Sequence, residues 1–173
     1  MNYYIADMHL GHANIMKHSN RPFSSIDEMD ACILNNFKCI KPEDHIYFLG
    51  DICMKVTDNV INQIKSINGH KHLIIGNHDR KPLRDRRFRS LFDSINDYDE
   101  IYDNGRKVIL CHYPIIEWNG FFRGSIHLYG HIHNNDNKSN QIMKMIDNAY
   151  NVGVDYTGFA PRTLDEIIKN NYK

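Results

Sequence analysis

The chain carries 11 histidines among 173 residues, and the informative feature is where they fall relative to carboxylates. Asp7 and His9 lie in D-M-H, Asp51 follows Gly50, and Asn77, His78 and Asp79 follow Gly76. His112 precedes Tyr113-Pro114, and His131 and His133 lie in G-H-I-H. Taken singly these positions say little. An Asp after Gly is usually a turn or cap. A lone histidine is usually a surface or satisfied core residue, and His18, His45, His70, His72 and His127 read that way. Taken together Asp7, His9, Asp51, Asn77, His112, His131 and His133 offer two carboxylates, one amide oxygen and four imidazoles. Imidazole is the commonest metal ligand, but this set is too large for one tetrahedral zinc. It suits two divalent cations sharing a bridging carboxylate. Two metals about 3.5–4 Å apart clamp the attacking and leaving oxygens of phosphoryl hydrolysis. Mixed imidazole and oxygen ligation admits manganese, the first expectation, and also iron, zinc, cobalt or nickel.

Something must bring these residues together. Apolar runs rich in Ile, Val, Tyr and Phe end on them: 3–6, 45–49, 72–75, 107–111 and 125–129. Such runs read as buried strands, and ligands of open α/β sheets gather at the carboxyl ends of strands. In extended chain, residues two apart share a face, so Asp7 with His9, and His131 with His133, are each expected to reach one spot. Helical spacing follows Ser25 (Ile26, Met29, Ile33, Leu34, Phe37), follows Thr57 or Asp58 (Val60, Ile61, Ile64, Ile67), and follows Thr163 (Leu164, Ile167, Ile168). Residues 100–102 and 107–111 flank the hairpin turn Asp103-Asn104-Gly105-Arg106. Residues 143–146 and 149–152 are expected as edge strands. With no repeat or linker, residues 1–173 read as one α/β domain.

Twenty-one basic and 21 acidic residues cancel, so the whole molecule has no strong field for nucleic acid or a membrane surface. Cys32, Cys39, Cys53 and Cys111 form neither CxxC pairs nor zinc-finger spacing. With no leader-like start and no apolar stretch of the roughly 18–20 residues a spanning helix needs, a cytoplasmic protein without a membrane partner is expected. The run RKPLRDRRFR, residues 80–89, reads first as a solvated basic face and second as a guide for an anionic polymer.

The blocks D-M-H, G-D, G-N-H-D, the lone His112 and G-H-I-H, in that order across most of the chain, resemble the five signature blocks of the calcineurin-like metallophosphoesterases. The resemblance implies a four-layer α/β/β/α sandwich of two mixed sheets flanked by helices. It also implies that Asp7, His9 and His133 hold one metal, that Asn77, His112 and His131 hold the other, and that Asp51 bridges. By similarity, a metal-bridging hydroxide attacks phosphorus, and His78 donates to the leaving-group oxygen. Asp79 then orients His78 or caps the turn. The Asp-Arg pair that follows Gly-Asp in the protein phosphatases of this superfamily is replaced by Ile52-Cys53-Met54-Lys55, which argues against phosphoprotein substrates. Asn77, His12 and Arg21 are the residues expected on substrate. A small phosphomonoester or phosphodiester is the expected partner. A nuclease or cyclic-nucleotide phosphodiesterase using residues 80–89, or a non-catalytic scaffold, are the alternatives.

Overall fold

The computed structural model describes residues 1–172. Strands β1 (Asn2–Ile5), β2 (His45–Phe48), β3 (His70–Ile74) and β4 (Ser94–Asn96) form one sheet in that order. Strands β5 (Tyr98–Asp103), β6 (Arg106–Cys111), β7 (Ile126–Tyr129) and β8 (Ala149–Asn151) form the other. The first sheet is parallel throughout, with one isolated antiparallel bridge, Tyr4 to Arg162. Only the second is mixed among its own strands, because the β5–β6 hairpin is antiparallel while β6–β7 and β7–β8 are parallel. The hairpin turns where expected: Asn104 and Gly105 both take positive φ, 48° and 76°.

Side-chain alternation along each strand builds the layers. Tyr4, Ala6, Leu49 and Ile74 from the first sheet meet Val108, Leu110, Ile126, Leu128, Tyr150 and Val152 from the second. The intervening residues, Ile5, Ile46, Phe48 and Leu73, face outward onto Met29, Ile33, Val60 and Ile64. These come from α2 (Ile26–Asn35) and α3 (Asp58–Ser66), capped as the spacing predicts by Ser25 and Thr57. The far side of the second sheet packs Ile109, Tyr129 and Ala149 against Trp118, Ile132 and Met143. Met143 belongs to α5 (Lys138–Lys144), capped by Asn137. In place of the strand expected over 143–146, Met143 and Lys144 end α5 and Met145 and Ile146 turn away from it. Met143 is buried and Met145 is 84% exposed, and Met143 and Ile146, three apart, join the same cluster, which is helical spacing. Trp118 belongs to this outer core as well. Its Nε1–H donates to the Ser125 carbonyl and hydroxyl.

The remaining helices are α1 (Ala13–His18), α4 (Arg86–Arg89), α6 (Val154–Thr157) and α7 (Leu164–Asn170). Thr163 and Glu166 form a capping box at the start of α7. Phe88 anchors α4 in the core. Cations of the basic run pair within the chain, Arg80 with Asp97 and Arg87 with Asp85 and Asp58. His127, buried in β7, accepts from Ile115 N–H at Nε2 and has Nδ1 beside the Ile109 carbonyl. Burial pushes it down to about 4, against backbone hydrogen bonding to Ile109 and Tyr113, so it is a neutral core histidine, as expected. All four cysteines are free. Among the described residues, no helix is long and apolar enough to cross a membrane.

Candidate metal centre

The strands of both sheets deliver their terminal residues to one edge of the sandwich. Asp7, His9 and His133 form one cluster, with a ligand atom of each within 4.8 Å of the others, and Asp51, His112 and His131 form a second by the same measure. Asp51 joins them: its Oδ2 lies 3.7 Å from His9 Nε2 and 3.6 Å from His112 Nε2. Asn77 Oδ1 lies 3.1 Å from His112 Nε2 and 3.0 Å from His131 Nδ1. The first cluster is buried, whereas Asn77 is exposed and His131 half-buried. There is thus an inner and an outer pocket, with one carboxylate between.

The backbone geometry differs from the extended chain expected at D-x-H and H-x-H. Asp7, His9, Asp51, His131 and His133 all take positive φ, 57°, 52°, 56°, 71° and 46°. Asp, Asn and His are the non-glycine residues most often found there, yet each such residue costs roughly 1–2 kcal/mol. Strain clustered on five candidate ligands is characteristic of a functional site held in place by its surroundings. Two glycines make room for the carboxylates: a Cβ at Gly76 would overlap Asp51 Oδ1, and one at Gly130 would meet Ala6 Cβ and Asp7 Oδ2, each at 2.6 Å. Close approach, rather than a turn, is what requires Gly76.

The donor set fits cations because its lone pairs converge without protons to separate them. His112 Nδ1 lies 2.7 Å from the Leu49 carbonyl. A neutral imidazole that donates there leaves Nε2 bare, facing the oxygens of Asn77 and Asp51. Asp7 Oδ1 and both ring nitrogens of His9 are buried with no hydrogen-bond partner among the described residues, an arrangement that costs free energy unless something satisfies it. Burial pushes His9, His112 and His131 down, keeping their lone pairs available. Burial also raises Asp51, and it pushes Asp7 up to about 7, against the pull of His133.

This has a sign for pH. A carboxyl whose folded value exceeds its unfolded one binds its proton more tightly when folded. On account of Asp7, the ion-free fold therefore loses stability as pH rises from 3.8 through about 7. An ion entering below about 7 must displace that proton. We expect Mn²⁺ affinity to fall about tenfold per pH unit below about 7 for each proton displaced, and to flatten above it. Calorimetric titration in buffers of different ionisation heat measures the released proton, and release that is the same at pH 6 and pH 8 would remove Asp7 from this role.

An uncharacterized protein of Methanocaldococcus jannaschii, MJ1445, is 32% identical over 170 residues, 96% of this chain and 89% of its own. The crystal structure of AQ665 from Aquifex aeolicus, a protein of unknown function, superposes with a TM-score of 0.77 at 28% identity, covering 98% of both chains. An archaeal phosphodiesterase shares the fold at TM-score 0.51 and 15% identity, over 96% of this chain and 94% of its own. No family model matches the chain. The five blocks meet at one edge of the two sheets, and this likeness shows the fold. The chain belongs to one family with MJ1445 and has a calcineurin-like metallophosphoesterase-type fold.

In this fold the seven expected ligands meet, and so do His78 and His12. His78 donates its backbone N–H to Asp51 Oδ1 (2.9 Å), and its Nε2 lies 3.9 Å from Asp51 Oδ2 with the side chain 37% exposed. The His12 ring lies 5.6 Å from that of His9, and its Nδ1 is buried and without a hydrogen-bond partner among the described residues. Arg21 does not reach the cleft. Its side chain is fully buried, its Nε and Nη2 bind Asp155, and Nη2 and Nη1 donate to the carbonyls of Asp7 and Met8. The substrate contact expected of it is corrected, because its donors are committed beneath the site. Nor does Asp79 hydrogen-bond the His78 ring among the described contacts. Buried and raised by burial, it accepts from the N–H groups of Asp51, Ile52 and Gly76. It holds a turn rather than touching reacting atoms.

Three residues near the centre were not anticipated. Asp155 accepts from His133 Nδ1 at 2.8 Å, His18 meets the His133 ring at 5.8 Å, and Tyr113 meets the His131 ring edge-on at 4.7 Å. Tyr113 adjoins His112 in sequence, a signal that was available. His18 ends a helix too short to show its period. Asp155 lies 22 residues from His133 and 134 from Arg21, beyond any local pattern.

Proposed function

We propose that the protein is a phosphoric ester hydrolase that uses two divalent metal ions and acts on a small phosphomonoester or phosphodiester. The observation that carries this reading is Asp51 Oδ2 set between His9 Nε2 and His112 Nε2, at 3.7 and 3.6 Å, with a three-residue ligand cluster on either side. Asp7, His9 and His133 would hold one ion, Asn77, His112 and His131 the other, and Asp51 both; manganese is the first choice. When bound, the ions lower the pKa of coordinated water and polarise the phosphoryl oxygens.

The chain's own residues supply the rest. His78 Nε2, at the opening beside Asp51, is placed to hold a proton for the departing ester oxygen. His12, across His9, is placed to donate to a phosphoryl oxygen. Because Arg21 is committed beneath the site, these imidazoles and Asn77 are the groups that position the ester. Tyr113, 40% exposed at the rim, supplies an aromatic edge for the leaving group.

The test is release of p-nitrophenol from bis(p-nitrophenyl) phosphate and from p-nitrophenyl phosphate by ion-stripped protein with Mn²⁺ restored. Turnover should require Mn²⁺, and the preferred ester identifies the substrate class. His78→Ala should lower kcat roughly 10²–10³-fold, the range of general acid catalysis, with Mn²⁺ content unchanged. Equal loss of turnover and bound Mn²⁺ would refute the role of His78 as proton donor. Two bound ions without turnover of either ester would favour a scaffold.

A further inference from the structure

We infer that Arg21 and Asp155 form a positioning pair that sets the metal affinity of the inner pocket; the inference rests on the two-ion reading of the site. Among the described residues, His133 alone of the four candidate imidazole ligands is hydrogen-bonded to a carboxylate that is not itself a candidate ligand, through Nδ1 to Asp155 Oδ2 at 2.8 Å. That bond fixes the proton on Nδ1, turns the Nε2 lone pair toward Asp7 and His9, and strengthens it as a ligand. An ionised carboxylate with its side chain 1% exposed needs a partner of its own. Arg21 provides it in a two-point contact, Nε to Oδ1 at 2.8 Å and Nη2 to Oδ2 at 3.3 Å, the geometry that suits guanidinium.

Arg21 does more than neutralise Asp155. Its Nη2 donates to the Asp7 carbonyl at 2.7 Å and its Nη1 to the Met8 carbonyl at 3.0 Å. Those carbonyls belong to the strained turn whose flanking residues, Asp7 and His9, have φ of 57° and 52°. One guanidinium thus ties the turn bearing Asp7 and His9 to the carboxylate that orients His133, so all three inner ligands are referred to one buried pair. The outer pocket is supported differently, with His112 held by the Leu49 carbonyl and Asn77 lying against His131. A fault in the pair should therefore weaken one ion and spare the other. Arg21 thus carries no substrate role; it holds the site from below.

The experiment is Mn²⁺ titration of the ion-stripped full chain, followed by calorimetry and by the EPR signal of free Mn²⁺. Wild type is compared with Asp155→Ala, Asp155→Asn and Arg21→Lys. Asp155→Ala should weaken one of two binding events about 10–100-fold, the usual effect of losing such a partner, and leave the other within twofold. Asp155→Asn keeps the shape and an acceptor oxygen but not the charge, so it should fall between, and it covers the case in which the alanine variant does not fold. Arg21→Lys cannot reproduce the two-point contact and should weaken the same event. A second readout needs no ion: ¹⁵N spectra of the imidazoles should show His133 held as the Nδ1–H tautomer in wild type and mixed in Asp155→Asn. A merely structural role would lower Tm and leave both the tautomer and the ratio of the two affinities untouched, which would overturn the inference. Failure of wild type to bind Mn²⁺ at all would instead overturn the two-ion reading, and this inference with it.

Discussion

Asp51→Ala should reduce ester hydrolysis by about 10³–10⁴-fold or more, because loss of transition-state stabilisation by both ions is worth several kcal/mol and each 1.36 kcal/mol is tenfold. The geometry makes this position unlike any other candidate ligand. Its Oδ2 lies within 3.7 Å of imidazole nitrogens from both clusters, and its Oδ1 accepts the His78 backbone N–H. Removing it should therefore disturb both proposed ions and the seat of the proposed proton donor, whereas His131→Ala should affect the outer proposed ion first. Asp51→Asn separates charge from shape: the amide oxygen can still accept from His78 N–H, but the charge shared between the pockets is gone. Its turnover should be nearly as low as that of the alanine variant.

Stability should move the other way. Burial raises the Asp51 carboxyl, so in the ion-free protein this charge is a cost, and Asp51→Asn should be at least as stable as wild type without Mn²⁺. With Mn²⁺, wild type should gain about 2.7 kcal/mol for each site at an ion concentration 100 times Kd, an increment the variant should lack. Turnover, Mn²⁺ content and melting with and without Mn²⁺ measure the three effects. An Asp51→Ala protein that kept two ions and a tenth of wild-type turnover would remove Asp51 from the bridging position.

Why the convergence of the candidate ligands could be read from sequence, and their supports could not, has a physical cause. A strand end is local: a run such as His45 to Leu49 announces burial, and the Gly50-Asp51 that follows announces what the strand delivers. Parallel strands then bring such ends to one edge, so Asp7, Asp51, Asn77, His112 and His131 are legible together. Their conformation is not local. Nothing in D-M-H or H-I-H indicates positive φ, because the left-handed backbone is imposed by contacts such as Asp7 N–H to the Gly50 carbonyl and His9 N–H to the Asp51 carbonyl. Arg21 was misjudged for a related reason. A charged residue near a candidate cleft reads as a substrate contact until its partner is known, and that partner, Asp155, is 134 residues away. Helix α5 was misread because M-K-M-I alternates over four residues while its buried positions recur at three.

Asp79→Ala should destabilise the fold by at least about 3 kcal/mol, since three buried N–H groups would each lose their acceptor at roughly 1–3 kcal/mol apiece. The carboxylate is fully buried. Its Oδ2 accepts from Asp51 N–H at 2.7 Å and Gly76 N–H at 2.8 Å, and its Oδ1 from Ile52 N–H at 3.1 Å. Those donors belong to two different strand ends, after β2 and after β3, so Asp79 staples the turn bearing Asp51 to the turn bearing Asn77 and His78. Against a total stability of about 5–15 kcal/mol for a typical domain, the loss is large, and water cannot easily replace an acceptor beneath two packed turns. Asp79→Asn offers one acceptor oxygen and turns an NH₂ toward the remaining donors, so it should retain part of the stability and none of the symmetry of the contact. The same staple keeps Asp51 at a φ of 56°, so loss of activity should accompany loss of stability even where the variant remains folded. That loss should appear as weakened binding of both ions, unlike the His78→Ala phenotype of slow turnover with ions retained. Urea unfolding of the ion-free variants, read beside Mn²⁺ titration, separates the two. A change below about 1 kcal/mol, the low end for even one lost acceptor, would mean that the three donors find other acceptors and that Asp79 does not hold the turn.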